Sequence, residues 1–118
     1  MTTSTQIQAG AVIAKFKALA DPFRFEVVEL LQQQEMCVCD LRDRMDIAQS
    51  KLSFHLKILR EAGLITARQD GRWIYYSLNR PEFMELEDYL NTLRCLGPVR
   101  PARLCPPPNQ PNATTNCG

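Results

Sequence analysis

The hydrophobic positions of this chain follow a helical period up to about residue 63, and the period then changes. Leu52, Leu56 and Leu59 lie at i, i+4 and i+7, which puts them on one face of a helix that ends near Gly63. Asp21 followed by proline predicts the capped start of an earlier helix. In chain order, the other helices are predicted over residues 7–19, 22–34, 41–45 and 82–96.

A β-hairpin is predicted between the fourth and fifth helices. Residues 64–68 and 73–78 are rich in β-branched and aromatic side chains, and the Asp70-Gly71 pair between them is a strong turn signal. The whole pattern predicts a mainly α fold with a small β-hairpin, in the order α-α-α-α-β-β-α. This order is typical of a winged helix-turn-helix, with the third and fourth helices as the helix-turn-helix and the hairpin as the wing.

Composition limits the class of protein and the compartment. The chain has 118 residues, 45% of them hydrophobic, and a net charge of +1, so only local charge clusters can indicate a nucleic-acid partner. It contains no apolar stretch long enough for a membrane span, and its first six residues, MTTSTQ, lack a secretion signal. We therefore expect a cytoplasmic protein that has no membrane contact and whose five cysteines stay reduced.

The chain is predicted to divide near residue 96. Residues 1–96 contain all the predicted elements and form the expected DNA-binding and dimerisation domain. Residues 97–118 contain six of the eight prolines and two cysteines, and they have too little apolar surface to order by themselves. We expect them to form an extended, cysteine-containing tail.

The helix over residues 48–61 carries hydrogen-bonding and cationic side chains on its polar face, with no carboxylate before Glu61. Such side chains suit the phosphates and base edges of a DNA major groove, and cations on a wing can reach the adjacent backbone. The residues predicted to face the groove are Gln49, Ser50, Lys51, Ser53 and His55. Those predicted to hold phosphates are Lys57, Arg68 and Arg72.

Four segments resemble the arsenic-repressor (ArsR/SmtB) family of winged-helix metalloregulators. Residues 49–64, QSKLSFHLKILREAGL, are similar to its recognition helix, residues 71–78, GRWIYYSL, to its wing, and residues 18–24, ALADPFR, to the start of its second helix. Residues 37–41, CVCDL, resemble the inducer box of its arsenic-responsive members. The resemblance, over about residues 12–96, implies a homodimer paired through its first and last helices. It further implies that the dimer leaves operator DNA when trivalent arsenic or antimony binds.

The inducer box leads to a first sensor hypothesis, in which Cys37 and Cys39 bind the metalloid. Thiolates are soft ligands that suit thiophilic ions, but the family's usual third cysteine is replaced by Arg42. On a regular helix, Cys37 and Cys39 would point about 200° apart. They can bind one ion only if the backbone there is extended or the helix start unwinds, which would disturb the helix before the recognition helix.

A second sensor hypothesis uses Cys95 and Cys105, with Cys117 as a further donor. The intervening residues contain glycine and proline, which allow a reversal, and closing so short a loop costs only a few kcal/mol. The two hypotheses are compatible, because a tail cysteine from either protomer could supply the third ligand to Cys37 and Cys39.

Other functions are kept as alternatives. A thiol redox switch would release DNA through a disulfide rather than through a bound ion. A winged helix can also act as a protein-interaction module that does not bind DNA. An enzyme is not expected, because the sequence has no apparent nucleophile–base pairing, phosphate loop or paired-acid site.

Overall fold

The computed structural model describes residues 2–104, with side chains described from residue 9, so Cys105 and Cys117 lie outside the described residues. The elements in chain order are α1 (Thr2–Leu19), α2 (Pro22–Leu30), β1 (Met36–Cys37), α3 (Val38–Met45), α4 (Gln49–Glu61), β2 (Ile65–Asp70), β3 (Trp73–Leu78) and α5 (Arg80–Arg94). None of these described helices is both long and apolar enough to cross a bilayer. Residues 95–104 contain no helix or strand, and the predicted domain boundary near residue 96 stays a prediction.

Helix α2 begins as its sequence predicts and ends earlier. The Asp21 side chain accepts hydrogen bonds from the backbone N–H groups of Phe23 at 2.8 Å and Arg24 at 3.2 Å, which caps the helix. The predicted end near Gln34 is wrong, because the last helical residue is Leu30. The chain leaves the helix there to carry Met36, which is 2% exposed, into the core and onto the sheet.

The sheet has three strands in the order β1-β3-β2, whereas the sequence predicted only the hairpin. Met36 and Cys37 pair antiparallel with Tyr76 and Tyr75 of β3. Two residues are too few to show a strand period, and this explains why no strand was predicted there. As a result, α3 begins directly after β1, at Val38, before its predicted start at Leu41.

The hairpin turn lies one residue later than its sequence signal. Asp70 pairs with Trp73, so the loop is Gly71 and Arg72 alone, shorter than the predicted loop over residues 69–72. Gly71 has φ +65° at the first loop position, where a two-residue hairpin turn commonly uses glycine. The shift leaves Arg72 at the tip of the wing.

Helix α4 ends in a glycine-dependent cap, close to the predicted end. The N–H of Gly63 donates to the carbonyl of Arg60 at 2.9 Å, and the N–H of Leu64 donates to that of Leu59 at 3.0 Å. These are the two bonds of a Schellman motif, and the φ of +84° at Gly63 makes them possible. The cap turns the chain so that Leu64, fully buried, starts the wing from the core.

The core lies beneath α4 and receives side chains from every helix and strand. Leu52, Leu56 and Leu59 are at most 1% exposed, as their helical spacing predicts. They belong to one cluster with buried residues of the other elements, among them Val12, Val27, Leu41, Ile65, Tyr76 and Leu86. The predicted winged helix-turn-helix is therefore observed, with α4 seated on the core along its apolar side.

Candidate nucleic-acid interface and cysteine positions

The exposed face of α4 lies opposite its buried face. At about 100° per residue, four exposed side chains before the last turn fall within an arc of about 100°, and Glu61, in the last turn, lies on the same arc. The four are Ser50, Ser53, Phe54 and Lys57. Gln49 and Lys51, also exposed, lie on the two borders of this arc. We call these six residues the reading face; Phe54 belongs to it although its apolar character kept it out of the sequence prediction.

Both border residues of the reading face contact other helices. The Gln49 side-chain oxygen accepts a hydrogen bond from Arg42 of α3 at 3.1 Å, which links the two helices of the helix-turn-helix. The Lys51 ammonium lies 4.0 Å from the ring centroid of Phe23 of α2, a cation–π distance. These contacts hold two of the predicted DNA-facing side chains in place at the surface.

His55 requires a correction, because its side chain is 5% exposed and packs within the protein. Its ring stacks on Phe23, with centroids 5.4 Å apart and planes 22° apart. Its Nδ1 lies 3.2 Å from a guanidinium nitrogen of Arg24. The prediction that His55 faces the groove assigned it to the polar side of α4 by its residue type. Burial against α2 instead makes it part of the helix packing.

The surroundings of His55 favour the neutral form of its ring. Burial lowers the pKa of His55; the carboxylate of Asp21 opposes that shift, and the charges of Arg24 and Lys51 add to it. A guanidinium can only donate, so Nδ1 must accept and the ring proton lies on Nε2. Asp21, whose Oδ1 lies 3.9 Å from Nδ1, is therefore a neighbour of this ring and not its ion-pair partner.

Arg24 joins three helices, a role that the sequence did not reveal. Its Nε donates to the carbonyl of Ala18 at 2.7 Å and its Nη2 to that of Lys17 at 3.3 Å, at the end of α1. Its remaining branch reaches His55 of α4. The only sequence signal was its position three residues after the Asp21 cap, which fixes it in the first turn of α2.

On the wing, Arg68 is bound by the protein and Arg72 is exposed. Glu35 accepts hydrogen bonds from Nε and Nη2 of Arg68, and the Ser77 hydroxyl donates to the same carboxylate at 3.3 Å. The hydrogen bonds from Arg68 lower the pKa of Glu35, and those to Glu35 raise the pKa of Arg68. A phosphate at Arg68 would have to compete with Glu35, whereas Arg72, exposed at the turn, lies at the wing tip.

The predicted sensor cysteines lie at three junctions of the fold. Cys37 ends β1 and occupies the N-cap position of α3 in extended conformation, with φ −81° and ψ 166° and no capping hydrogen bond from its side chain, while Cys39 is already in the first helical turn. Both are half-buried, and Cys95, directly after α5, is exposed, with its Sγ 3.4 Å from Asn91 Oδ1. Within residues 2–104, no three side chains of His, Cys, Asp or Glu come together as a metal site. Cys105, the proposed partner of Cys95, lies outside the described residues.

An apolar surface lies between α1 and α5, away from the reading face. A cavity of about 730 Å³ opens there, lined by Ala9, Val12, Ile13, Phe16, Glu85, Asp88, Tyr89 and Thr92. Leu93, on the same side of α5 as Tyr89, is 52% exposed. Beneath this surface, the buried Lys15 ammonium joins the two helices through Glu82 at 3.2 Å and Glu85 at 3.5 Å. We call it the α1–α5 face.

Known proteins share both the sequence and the fold. Residues 21–67 match the family described as bacterial regulatory protein, arsR family. The arsenical resistance operon repressor of Bacillus subtilis (strain 168) is 55% identical over 69 residues, which cover 58% of this chain and 66% of that protein. That of Escherichia coli (strain K12) is 47% identical over 68 residues, 57% of this chain and 58% of that protein.

The matched region spans 57–66% of the length of the first four curated relatives. Among solved structures, that of a possible transcriptional regulator for arsenical resistance has a TM-score of 0.62 and 34% identity. The aligned region covers 67% of this chain and 82% of the chain of that regulator. These similarities confirm both the winged-helix fold and the family resemblance that the sequence predicted.

The neutral, buried His55 predicts how stability depends on pH. The folded pKa lies below the usual 6.5, so the unfolded chain takes up a proton that the folded chain does not. The contribution of His55 to the stability of the fold is therefore complete above pH 6.5 and decreases as the pH falls. We expect the free energy of unfolding in urea to decrease from pH 7.5 to 5.5, with His55 contributing at most about 1.4 kcal/mol per pH unit.

The control is His55→Gln, which keeps a neutral hydrogen-bonding side chain without the titration. Because the chain has one histidine, this variant should lose most of the pH dependence in that range. A variant with the same decrease as the parent protein would show that the ring is not held neutral by its packing.

Proposed function

The chain belongs to the arsR family of bacterial regulatory proteins, and we propose that it is a homodimeric transcriptional repressor released from operator DNA by a trivalent metalloid. The observation that carries the proposal is the reading face: hydrogen-bonding and cationic side chains exposed on a helix whose opposite side is buried in a winged-helix core. Regulators of this kind bind DNA and are not enzymes.

In the proposed complex, α4 lies in the major groove. Gln49, Ser50, Lys51 and Ser53 face base edges, and the phosphate contacts come from Lys57, Arg68 and Arg72. His55 is left out of this set because its ring is buried. A twofold-symmetric dimer would bind half-sites about one helical turn, or a multiple of it, apart. Each phosphate contact adds affinity that decreases with salt.

The proposed dimer forms through the α1–α5 face. Ile13, Phe16 and Tyr89 line its cavity and are 37–52% exposed, and Leu93 extends the same apolar surface. An apolar surface of this kind is typical of an interaction site. Because a twofold interface uses the same patch on both copies, the α1 and α5 helices of one protomer would pack against those of its partner.

The proposed inducer is trivalent arsenic or antimony held by cysteine thiolates. Support comes from the soft donors on the chain and from similarity to repressors named for arsenical resistance. Cys37 and Cys39 provide two donors, and Arg42 cannot provide the third, because a guanidinium has no acceptor. The missing donor is proposed to come from the tail; alternatively, Cys95 and Cys105 form the site themselves.

The proposed DNA contacts predict the response to losing one cation. Lys57→Ala should weaken binding to the operator and reduce the slope of log K against log salt by about 0.9, the value of one phosphate contact. The operator can be obtained by selecting duplexes from a random pool with this protein. Binding is then measured by fluorescence anisotropy at several salt concentrations.

Lys17→Ala is the matched control, since Lys17 is equally cationic and exposed but lies on α1. It should leave the salt slope unchanged. Equal slopes for Lys57→Ala and the parent protein would contradict the proposed docking of α4.

The proposed dimer predicts that Leu93→Glu is monomeric, because it puts a charge into an apolar contact on both copies. Sedimentation equilibrium at micromolar concentration measures the change. The control is Met84→Glu, on the same helix and 59% exposed, but lining a different cavity, with Val28 and Phe83. Met84→Glu should stay dimeric. A dimeric Leu93→Glu would rule out the α1–α5 face as the interface.

The sensor is tested by titrating operator-bound protein with arsenite and then antimonite in a phosphine reductant, since a thiol reductant would compete for the metalloid. We expect the parent protein to be released. We also expect Cys→Ser variants of one pair, either 37 and 39 or 95 and 105, to stay bound with unchanged basal affinity. Loss of response in both pairs would indicate a shared site.

Peroxide without reductant separates the redox alternative from the proposed one. Release by peroxide but not by either metalloid would favour a disulfide switch. A variant with all five cysteines replaced by serine that still responds to metalloid would refute thiolate sensing.

A further inference from the structure

Phe54 lies on the reading face, between Ser50 and Lys51 around the helix, and its side chain is 58% exposed. We propose that Phe54 reads a thymine, by packing its ring against the C5-methyl group in the major groove. This inference rests on the proposed function, because it requires α4 to lie in that groove. It adds a base-reading residue that carries no hydrogen-bonding group.

Exposure of one apolar side chain does not by itself indicate a site, since single exposed apolar residues are common on proteins. The position of Phe54 is what matters. It shares the arc with Ser50, Ser53 and Lys57, which are exposed and carry polar or cationic groups. An aromatic ring among side chains suited to phosphates and base edges would meet the same partner as they do.

The Phe54 ring is backed by a column of packed groups. It meets the His55 ring edge-on, with centroids 5.4 Å apart and planes 65° apart. His55 in turn stacks on Phe23 and is bound by Arg24. A side chain held by such support loses little freedom on binding, and preorganisation of this kind favours affinity and selectivity.

The chemistry of the groove determines which base such a ring would select. Thymine is the base that presents a methyl group in the major groove, and an apolar side chain such as phenylalanine makes favourable contact with it. The other base edges present donors and acceptors that a phenyl ring cannot satisfy. A protein partner at this position is less suited to the surface, because α4 exposes Lys51 and Lys57 and has no carboxylate before Glu61.

The test replaces each thymine of a selected operator half-site by uracil, which differs from it only by lacking the methyl group. With the parent protein, one position should show about a fourfold loss of affinity. This corresponds to about 0.8 kcal/mol for one apolar carbon removed from contact. With Phe54→Ala, thymine and uracil at that position should bind equally well.

The matched control is Phe25→Ala, which removes an equally exposed phenylalanine, 53% exposed, from α2. It should keep the full difference between thymine and uracil. Phe54→Gln is a second variant, expected to move the preference at that position towards adenine, whose donor–acceptor edge an amide can match. Urea unfolding of each variant measures whether the fold is retained.

Two results would overturn the inference while leaving the proposed function intact. One is salt-dependent, sequence-selective binding in which no uracil substitution changes affinity. The other is a uracil effect that persists in Phe54→Ala, since another group would then read the methyl. Failure of the parent protein to select any duplex would instead refute the proposed function itself.

Discussion

The hydrogen bond between Arg24 and His55 ties α4 to the two helices before it, in addition to the packing of its leucines on the core. Arg24 is fixed at the start of α2 and also donates to two carbonyls at the end of α1, so one guanidinium joins three helices. Losing Arg24 would leave the buried Nδ1 of His55 without this hydrogen bond, which costs more than an ordinary surface hydrogen bond contributes. The reading face is therefore supported from the other side of the helix by this contact and by the buried leucines.

Around α4, the packed residues and the charged residues lie on different sides of the helix. Burial lowers the pKa of His55 and so favours an uncharged ring on the buried side of α4, and the cations at its surface are Lys51, Lys57 and Arg60. Phe23 contacts both sides, because its ring stacks on the buried His55 and also lies beneath the exposed Lys51 ammonium. The cationic surface of α4 is ordered in this way without a charged residue on the buried side of that helix.

Local sequence signals predicted most of the fold and only part of the candidate site. The Asp21 cap, the Gly63 cap and the leucine spacing of α4 depend on neighbouring residues, and all three were predicted correctly. The strand at Met36 was missed, because two residues form a strand only through a partner forty residues away. His55 was assigned to the groove because residue type cannot show that Phe23 and Arg24 approach it from another helix. The DNA contacts and the sensor cysteines remain predictions.

The position of Cys37 offers a physical reason why sensing and DNA binding could be coupled in the proposed repressor. Cys37 is at once the last residue of β1, paired with Tyr75 of the wing, and the N-cap residue of α3. Tyr75 lies under the Arg68 guanidinium, 4.8 Å from ring centroid to its carbon, and α3 contacts α4 through Arg42 and Gln49. A ligand that drew Cys37 towards Cys39 would have to change the backbone at this junction, because Cys37 is extended and Cys39 is helical. Such a change would act on the wing and on the reading face together, so a modest local distortion would weaken both sets of proposed contacts.

A sensor site at Cys95 has no comparable connection to the wing or to α4 within residues 2–104. Metalloid binding there would have to act through the α1–α5 face and the dimer geometry instead.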